Sequence, residues 1–112
     1  MAKKIYTPER GDIIFTDFDP AAGHEQKMAR PALVLSPTAF NQKFGLALVA
    51  PITSRIRGHG FEVVFKGKQV QGAVLCQQAK VIDFAARGSK LIEQIDSKSL
   101  VDALAKVRLL VS

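Results

Sequence analysis

Arg30, Thr53 and Glu25 are the residues of this chain best suited to chemistry on a phosphate. An arginine guanidinium stays charged at any working pH and presents a fixed fork of donors that matches phosphate oxygens. A carboxylate can accept a proton from a sugar hydroxyl. A threonine hydroxyl can hold a phosphate oxygen or position that sugar hydroxyl. Glu25 lies on a loop over 19–30, and Arg30 ends it. Pro31 follows Arg30 directly and biases it toward an extended conformation at the mouth of the next strand. Each of the three also has a plainer reading. Arg30 can form a surface ion pair with Asp17 or Glu25, Thr53 can satisfy a backbone group at a strand end, and a loop glutamate is commonly just solvated. On the residue types alone the ion pair is the preferred account of Arg30.

Other reactive side chains offer less. His24 and His59 read as solvent-exposed loop residues rather than a catalytic pair. Neither sits at metal-ligand spacing, there is no Cys/His cluster, and no metal or cofactor is expected. The single Cys76 cannot form an internal disulfide. Val74 and Leu75 beside it point to a buried, inert thiol.

Elements that would position these residues follow from the apolar pattern. Ile13–Phe18 reads as a strand bounded by Gly11 and by Asp19-Pro20. Residues 31–36 form a second strand, near-continuously apolar and so in the core, ended by Pro37. Thr38 to Lys43 suggests a short helical turn closed by Gly45. Leu46–Thr53 is a third strand, with Pro51 arguing for an edge or a bulge. Ser54–Gly60 is a basic loop, Phe61–Phe65 a fourth strand, Lys66-Gly67 the start of a turn and Gly72–Ile82 a fifth strand. A mixed segment over 83–96 contains a helical turn and a short strand around Lys90 to Ile92. Leu100, Ala103, Leu104, Val107, Leu110 and Val111 make one helical stripe. Ser99 with Asp102 suggests its capping box, with Asp96 or Ser97 as alternative caps. Several short strands and one terminal helix predict a mainly β fold: a small, partly open barrel with a helix packed across it.

Composition narrows the function classes. The 112 residues fit one domain over 1–112, and 47% hydrophobic content is enough to build a core. No apolar run reaches transmembrane length, and no apolar stretch follows Lys3 and Lys4 as in a signal peptide, so a cytoplasmic protein is expected. The net charge of +6 favours a polyanionic partner only slightly, because the basic residues are spread along the chain. Arg55, Arg57, Lys66 and Lys68 form a modest cluster. With no Trp and only Tyr6, an extended base-stacking platform is not expected.

Three separate pieces of the chain, in order, resemble the MazF/PemK family of toxin endoribonucleases. They are Gly11-Asp12-Ile13-Ile14 with Phe18-Asp19-Pro20, then Gly23-His24-Glu25-Gln26, then Arg30-Pro31-Ala32-Leu33-Val34-Leu35-Ser36. Pro51-Ile52-Thr53-Ser54 matches a fourth motif. The resemblance implies an SH3-like barrel with a C-terminal helix, assembled as a homodimer. It implies a sequence-specific, metal-independent endoribonuclease that cuts single-stranded RNA to 2′,3′-cyclic phosphate and 5′-hydroxyl ends. An acidic antitoxin protein would neutralise it. Arg30 would take the place of the catalytic arginine, Thr53 that of a positioning hydroxyl, and Glu25 would contribute to proton transfer or substrate binding. His24, Gln26, Lys27, Ser54, Arg55, Arg57, Gln77 and Gln78 would line the RNA groove. The chain departs from the family pattern at Gln77, where many members carry Asp or Asn, and at Ala29, where some carry His. Both positions bear on the cleavage sequence. Ile82-Asp83-Phe84 with Arg87 matches a further family stretch, read as structural or dimer-related. Two other functions fit the same fold: a CcdB-like gyrase-inhibiting toxin and a non-catalytic RNA-binding barrel.

Overall fold

The computed structural model describes residues 5–18 and 29–112. Its elements run β1 (Asp12–Asp17), β2 (Ala29–Val34), α1 (Thr38–Phe44), β3 (Ala47–Thr53), β4 (Glu62–Lys66), β5 (Gln71–Leu75), a 3-10 turn (Cys76–Gln78), β6 (Lys80–Ile82), β7 (Lys90–Gln94) and α2 (Ser97–Leu109). The seven strands form one curled antiparallel sheet in the order β4-β5-β3-β2-β1-β7, with β6 beside β3. This is the mainly β half-barrel with a C-terminal helix that the pattern predicts.

Side-chain alternation divides the core between the two faces of the sheet. Ile13, Leu33, Ala50, Ile52, Val63, Phe65 and Val74 bury one face. Leu100, Ala103, Leu104 and Val107 of α2 pack against it. Ile14, Phe18, Ala32, Val34, Val49, Ile82 and Phe84 bury the other. Asp96 caps α2, its carboxylate accepting the Ser99 N–H at 2.9 Å, so of the three possible caps Asp96 is the one used. The helix stops at Leu109. Leu110 and Val111 therefore leave the predicted stripe and stand 46% and 87% exposed.

One strand expectation needs correction. Gly72–Ile82 is not one strand. Ile52 of β3 faces Val74, whereas Val49 faces Lys80. Three steps along β3 thus match six along its neighbour, and the 3-10 turn Cys76–Gln78 takes up the excess. Alternation could not show this break, because apolar residues continue on both sides of it. Of the two alternatives for Pro51, an edge or a bulge, the edge is not the one used; Pro51 sits at an irregularity of the ladder. It lies in the interior strand β3, opposite Ala32, between the stretch paired with β6 and the stretch paired with β5. A residue without an N–H is tolerated where the ladder changes partners.

Cys76 is fully buried, and that burial pushes its thiol up to about 11, as expected of an inert cysteine. Arg87 donates to the carbonyls of Phe18 at 2.6 Å and Asp17 at 3.4 Å, which supports the structural reading of the 82–87 stretch.

The two outer ends of the sheet are tied together by one side chain. The carboxylate of Glu93, on β7, accepts the backbone N–H groups of Lys68, Gln69 and Val70 in the turn between β4 and β5, at 2.8–2.9 Å. A Cβ at Gly67 would sit 2.7 Å from both this carboxylate and the Val70 carbonyl, so only glycine lets the turn approach. Partial burial opposes ionisation of Glu93, but the three N–H donors outweigh it and hold its pKa below the usual carboxylate value. A depressed native pKa contributes stability above the unfolded-state value, and that contribution is lost as pH falls through the native one. Glu93→Ala should therefore lower stability to urea by about 2–3 kcal/mol at neutral pH. The gap to the wild-type protein should narrow as the pH drops below about 4. An equal gap at both pH values would show that the carboxylate does not close the sheet.

Candidate active site

Strand register brings Arg30 and Thr53 together. Thr16 pairs with Arg30 across β1 and β2. Ala32 pairs with Pro51 across β2 and β3, and extending that register by two residues sets Arg30 opposite Thr53. Thr53 pairs in turn with Ala73 of β5. Alternation puts Arg30 on the face of Ala32 and Val34, turned away from α2.

At this end of the sheet Arg30, Thr53, Arg57, His59, Leu75, Gln77 and Gln78 line a cavity of about 440 Å³. Of the residues expected at the site, Arg30, Thr53, Arg57, Gln77 and Gln78 converge there. Ser54 and Arg55 are exposed and do not line it. They follow Thr53 where the chain leaves the sheet, so membership of the same loop does not make them neighbours of the cavity. His24, Glu25, Gln26 and Lys27 lie outside the described residues.

Arg30 is half-buried, and among the described residues it has no ion-pair partner; Asp17 does not supply one. The Thr53 hydroxyl accepts the Arg55 N–H at 3.1 Å, so its plainer role, satisfying a backbone group at the strand end, is present. That bond uses an acceptor lone pair. Among the described residues nothing accepts the hydroxyl proton, which can therefore serve a ligand in the cavity.

The basic loop owes its shape to Glu62, a charged residue only 5% exposed at the start of β4. Its carboxylate accepts the Gly58 N–H at 2.7 Å and the Arg57 N–H at 3.1 Å. The Gly58 bond is the chief reason its pKa lies below the ordinary glutamate value; burial opposes it, and Arg57 and His59 assist. Lys106 of α2 donates to the Glu62 carbonyl at 3.0 Å and so ties the loop base to the helix. Glu62 carries no motif, only the signal of a lone acid in an apolar strand. His59 is exposed, as expected of a loop histidine, and also lines the cavity, with Nε2 at 3.3 Å from the Gln77 amide nitrogen and 3.6 Å from the Glu62 carboxylate. Spacing carried some of this: Glu62 follows His59 by three residues.

The cavity is thus walled by two guanidiniums, one hydroxyl, one imidazole and two amides, with no carboxylate among the described lining residues. Such a set binds a polyanion and can stabilise charge building up on a phosphate.

A small mainly β toxin fold with an arginine–threonine site is the class that this architecture and cavity define, and comparison with known proteins agrees. Residues 9–111 match the model of the PemK-like, MazF-like toxins of type II toxin–antitoxin systems, and the chain belongs to that family. It is 41% identical over 106 residues to the endoribonuclease toxin MazF of Escherichia coli K12, covering 95% of this chain and 96% of that one. It is 43% identical over 109 residues to the endoribonuclease toxin ChpB of the same strain, covering 92% and 93%. The crystal structure of MazF from Deinococcus radiodurans superposes with a TM-score of 0.86 at 36% identity, covering 96% of this chain and 98% of that one.

Thr53 has a neighbour that leaves no room. Gly72 has φ +144°, and a Cβ there would lie well inside contact distance of the Thr53 carbonyl oxygen. Gly72→Ala should cost about 2–4 kcal/mol in urea unfolding. Its amide spectrum should move at Thr53 and Ser54 more than at α2. A spectrum and a stability like those of the wild type would show that this close approach does not set the position of Thr53.

Proposed function

We propose that the protein is an endoribonuclease toxin that cuts single-stranded RNA without a metal ion. The observation that carries this reading is the meeting of an arginine free of any described carboxylate with a strand-end threonine in one cationic cavity. The homologous toxins that are named endoribonucleases support it.

RNA brings its own nucleophile, the 2′-hydroxyl. The protein must align that oxygen with the phosphorus and the leaving 5′-oxygen, take one proton, return one, and stabilise the extra charge on the phosphorane. Arg30 clamps the non-bridging oxygens and can supply the proton to the leaving oxygen. Thr53 donates its free O–H to a phosphate or ribose oxygen. Glu25, four residues before β2 in the sequence, is the base. The 2′-oxygen bonds to phosphorus as the bond to the 5′-oxygen breaks, which leaves a 2′,3′-cyclic phosphate and a 5′-hydroxyl. DNA has no 2′-hydroxyl, so it binds and survives. Unpaired bases expose their edges to Arg57, Gln77 and Gln78.

A structure of MazE–MazF from Deinococcus radiodurans, whose matched chain is 30% identical to this one, supports an antitoxin as partner. A net charge of +6 suits an acidic partner electrostatically. The active assembly in this reading is a cytoplasmic homodimer, for which the exposed Val81, Leu109, Leu110 and Val111 supply apolar surface.

The test is incubation of a long single-stranded RNA with the purified protein in EDTA. Discrete fragments with 2′,3′-cyclic ends are expected. Arg30→Ala should slow cleavage by about 100-fold or more, and Thr53→Ala by about 10-fold or more. RNA left intact by the wild-type protein across diverse substrates would overturn the reading.

A further inference from the structure

We infer that Lys80 binds a second phosphate of the nucleic-acid strand, other than the one at Arg30 and Thr53, with its ammonium fixed for that contact by the ring of Phe18. The inference rests on the nuclease reading only in taking single-stranded nucleic acid as the ligand.

Strand register puts Lys80 on the face that carries Arg30. Lys80 pairs with Val49 across β6 and β3, and Val34 pairs with Val49 across β2 and β3. Residues directly opposite one another share a face of the sheet. Lys80 therefore stands with Val34, and by alternation with Ala32 and Arg30, on the side turned away from α2. Ile82, two residues further along β6, agrees, because it is buried in the same cluster as Ala32, Val34 and Val49. In the sequence Lys80 follows Gln78 of the cavity wall by two residues.

The ammonium is held in place. Lys80 Nζ lies 4.4 Å from the centre of the Phe18 ring, within the range of a cation–π attraction. Phe18 is buried, so the ring itself is fixed. It lies two residues beyond Thr16, the partner of Arg30 across β1 and β2, so it draws the ammonium toward the Arg30 end of the sheet. A ring attracts the charge through its quadrupole, and an ammonium with three N–H groups keeps donors for another acceptor. Among the described residues no carboxylate pairs with Lys80. Two other cations are already in use: Arg87 donates to the carbonyls of Asp17 and Phe18, and Lys106 to the Glu62 carbonyl and the Asp102 carboxylate. A positioned cation with no internal partner is suited to a phosphate of the strand backbone. Lys80 stands opposite Val49 and Arg30 opposite Thr53, on the two sides of β3 and four residues apart along it, which is about 13 Å. That spacing suits two phosphates of one strand rather than a shared one. Lys80 thus guides the path of the strand, and the reacting phosphorus is left to Arg30.

The probe is a fluorescein-labelled single-stranded oligodeoxythymidine, with binding read by anisotropy over a series of salt concentrations at neutral pH. It has no 2′-hydroxyl, so chemistry does not enter the measurement. Each phosphate contact on a single strand contributes about 0.7 to the slope of log K against log salt concentration. Lys80→Gln should lower that slope by about 0.7 and weaken binding about fivefold at 0.1 M salt. Lys80→Met keeps the stem over Phe18 and should behave as Lys80→Gln does, which separates lost charge from lost packing. Lys80→Arg should keep the slope. Lys98→Gln removes an exposed cation at the start of α2, on the other face, and should also leave the slope as it is. With RNA, Lys80→Gln should raise KM and hold kcat within about twofold. An unchanged slope in Lys80→Gln, an equal fall in Lys98→Gln, no binding by the wild-type protein, or a loss of kcat as large as that of Arg30→Ala would overturn the inference. A lower slope in Lys80→Gln, from a protein that leaves all RNA intact, would keep the phosphate contact and remove the nuclease. RNA cleavage by the wild-type protein with an unchanged slope in Lys80→Gln would do the reverse.

Discussion

A sheet of seven short strands has two open edges, and an exposed edge invites pairing with another chain. Here the ends are brought together by one carboxylate. Glu93 reaches from β7 to three consecutive N–H groups of the turn after β4, at the far end of the strand order. Those donors are not part of a strand ladder and would otherwise need water. A single ionised acceptor serves all three at distances typical of charge-assisted bonds. The curl that results gives the sheet one face for α2 and leaves the opposite face to present Arg30.

Within the curled sheet, the site depends on two local constraints. Gly72 lets β5 approach the Thr53 carbonyl more closely than any side chain would permit. Thr53 then stands at the point where β3 leaves the sheet, with its hydroxyl turned back to the Arg55 N–H. Further along, Glu62 gathers the N–H groups of Arg57 and Gly58. Both residues that shape the basic loop act on its backbone, and the arginine side chains are left for a ligand. The loop is held by an acid that a ligand cannot reach, so binding need not compete with folding for the same charge.

Much of this was legible in the sequence, and the gaps have physical causes. The long periodic segment at the C-terminus gave α2, and the alternating runs at Ile13, Leu33 and Val63 gave their strands, because burial on one face leaves a period in the residues. Arg30 and Thr53 were legible as motif positions, and their meeting follows from strand pairing that no local pattern records. The break at Cys76–Gln78 was invisible because it arises from the register of β3 with two successive partners. Leu110 and Val111 continued the stripe in period but lie past the last helical residue, where no neighbour covers them. His59 is exposed, as a loop histidine between two glycines suggests, and its contacts with Phe61, Glu62 and Gln77 are set by the fold. Arg55 does not line the cavity, because loop membership does not set which residues face it.

The division of labour among charges explains why a chain with only a modest excess of cations can present a strongly cationic cavity. Asp12, Glu62, Glu93 and Asp96 each accept at least one backbone N–H, and Asp12 also holds the hydroxyl of Tyr6 at 2.5 Å. Asp83 does the same for the Ala86 N–H at 3.1 Å, so at least five of the ten acidic residues are engaged with the backbone. Backbone donors lower the pKa of Glu62, Glu93 and Asp96, so these acids stay ionised and in place well into the acid range. The basic residues have no such internal duty in most cases and remain as surface donors. A reaction in which the substrate supplies the nucleophile asks the protein mainly for donors directed at phosphate. Committing the acids to the backbone leaves Arg30 and Arg57 free of described carboxylate partners, which is the electrostatic condition that such a site requires.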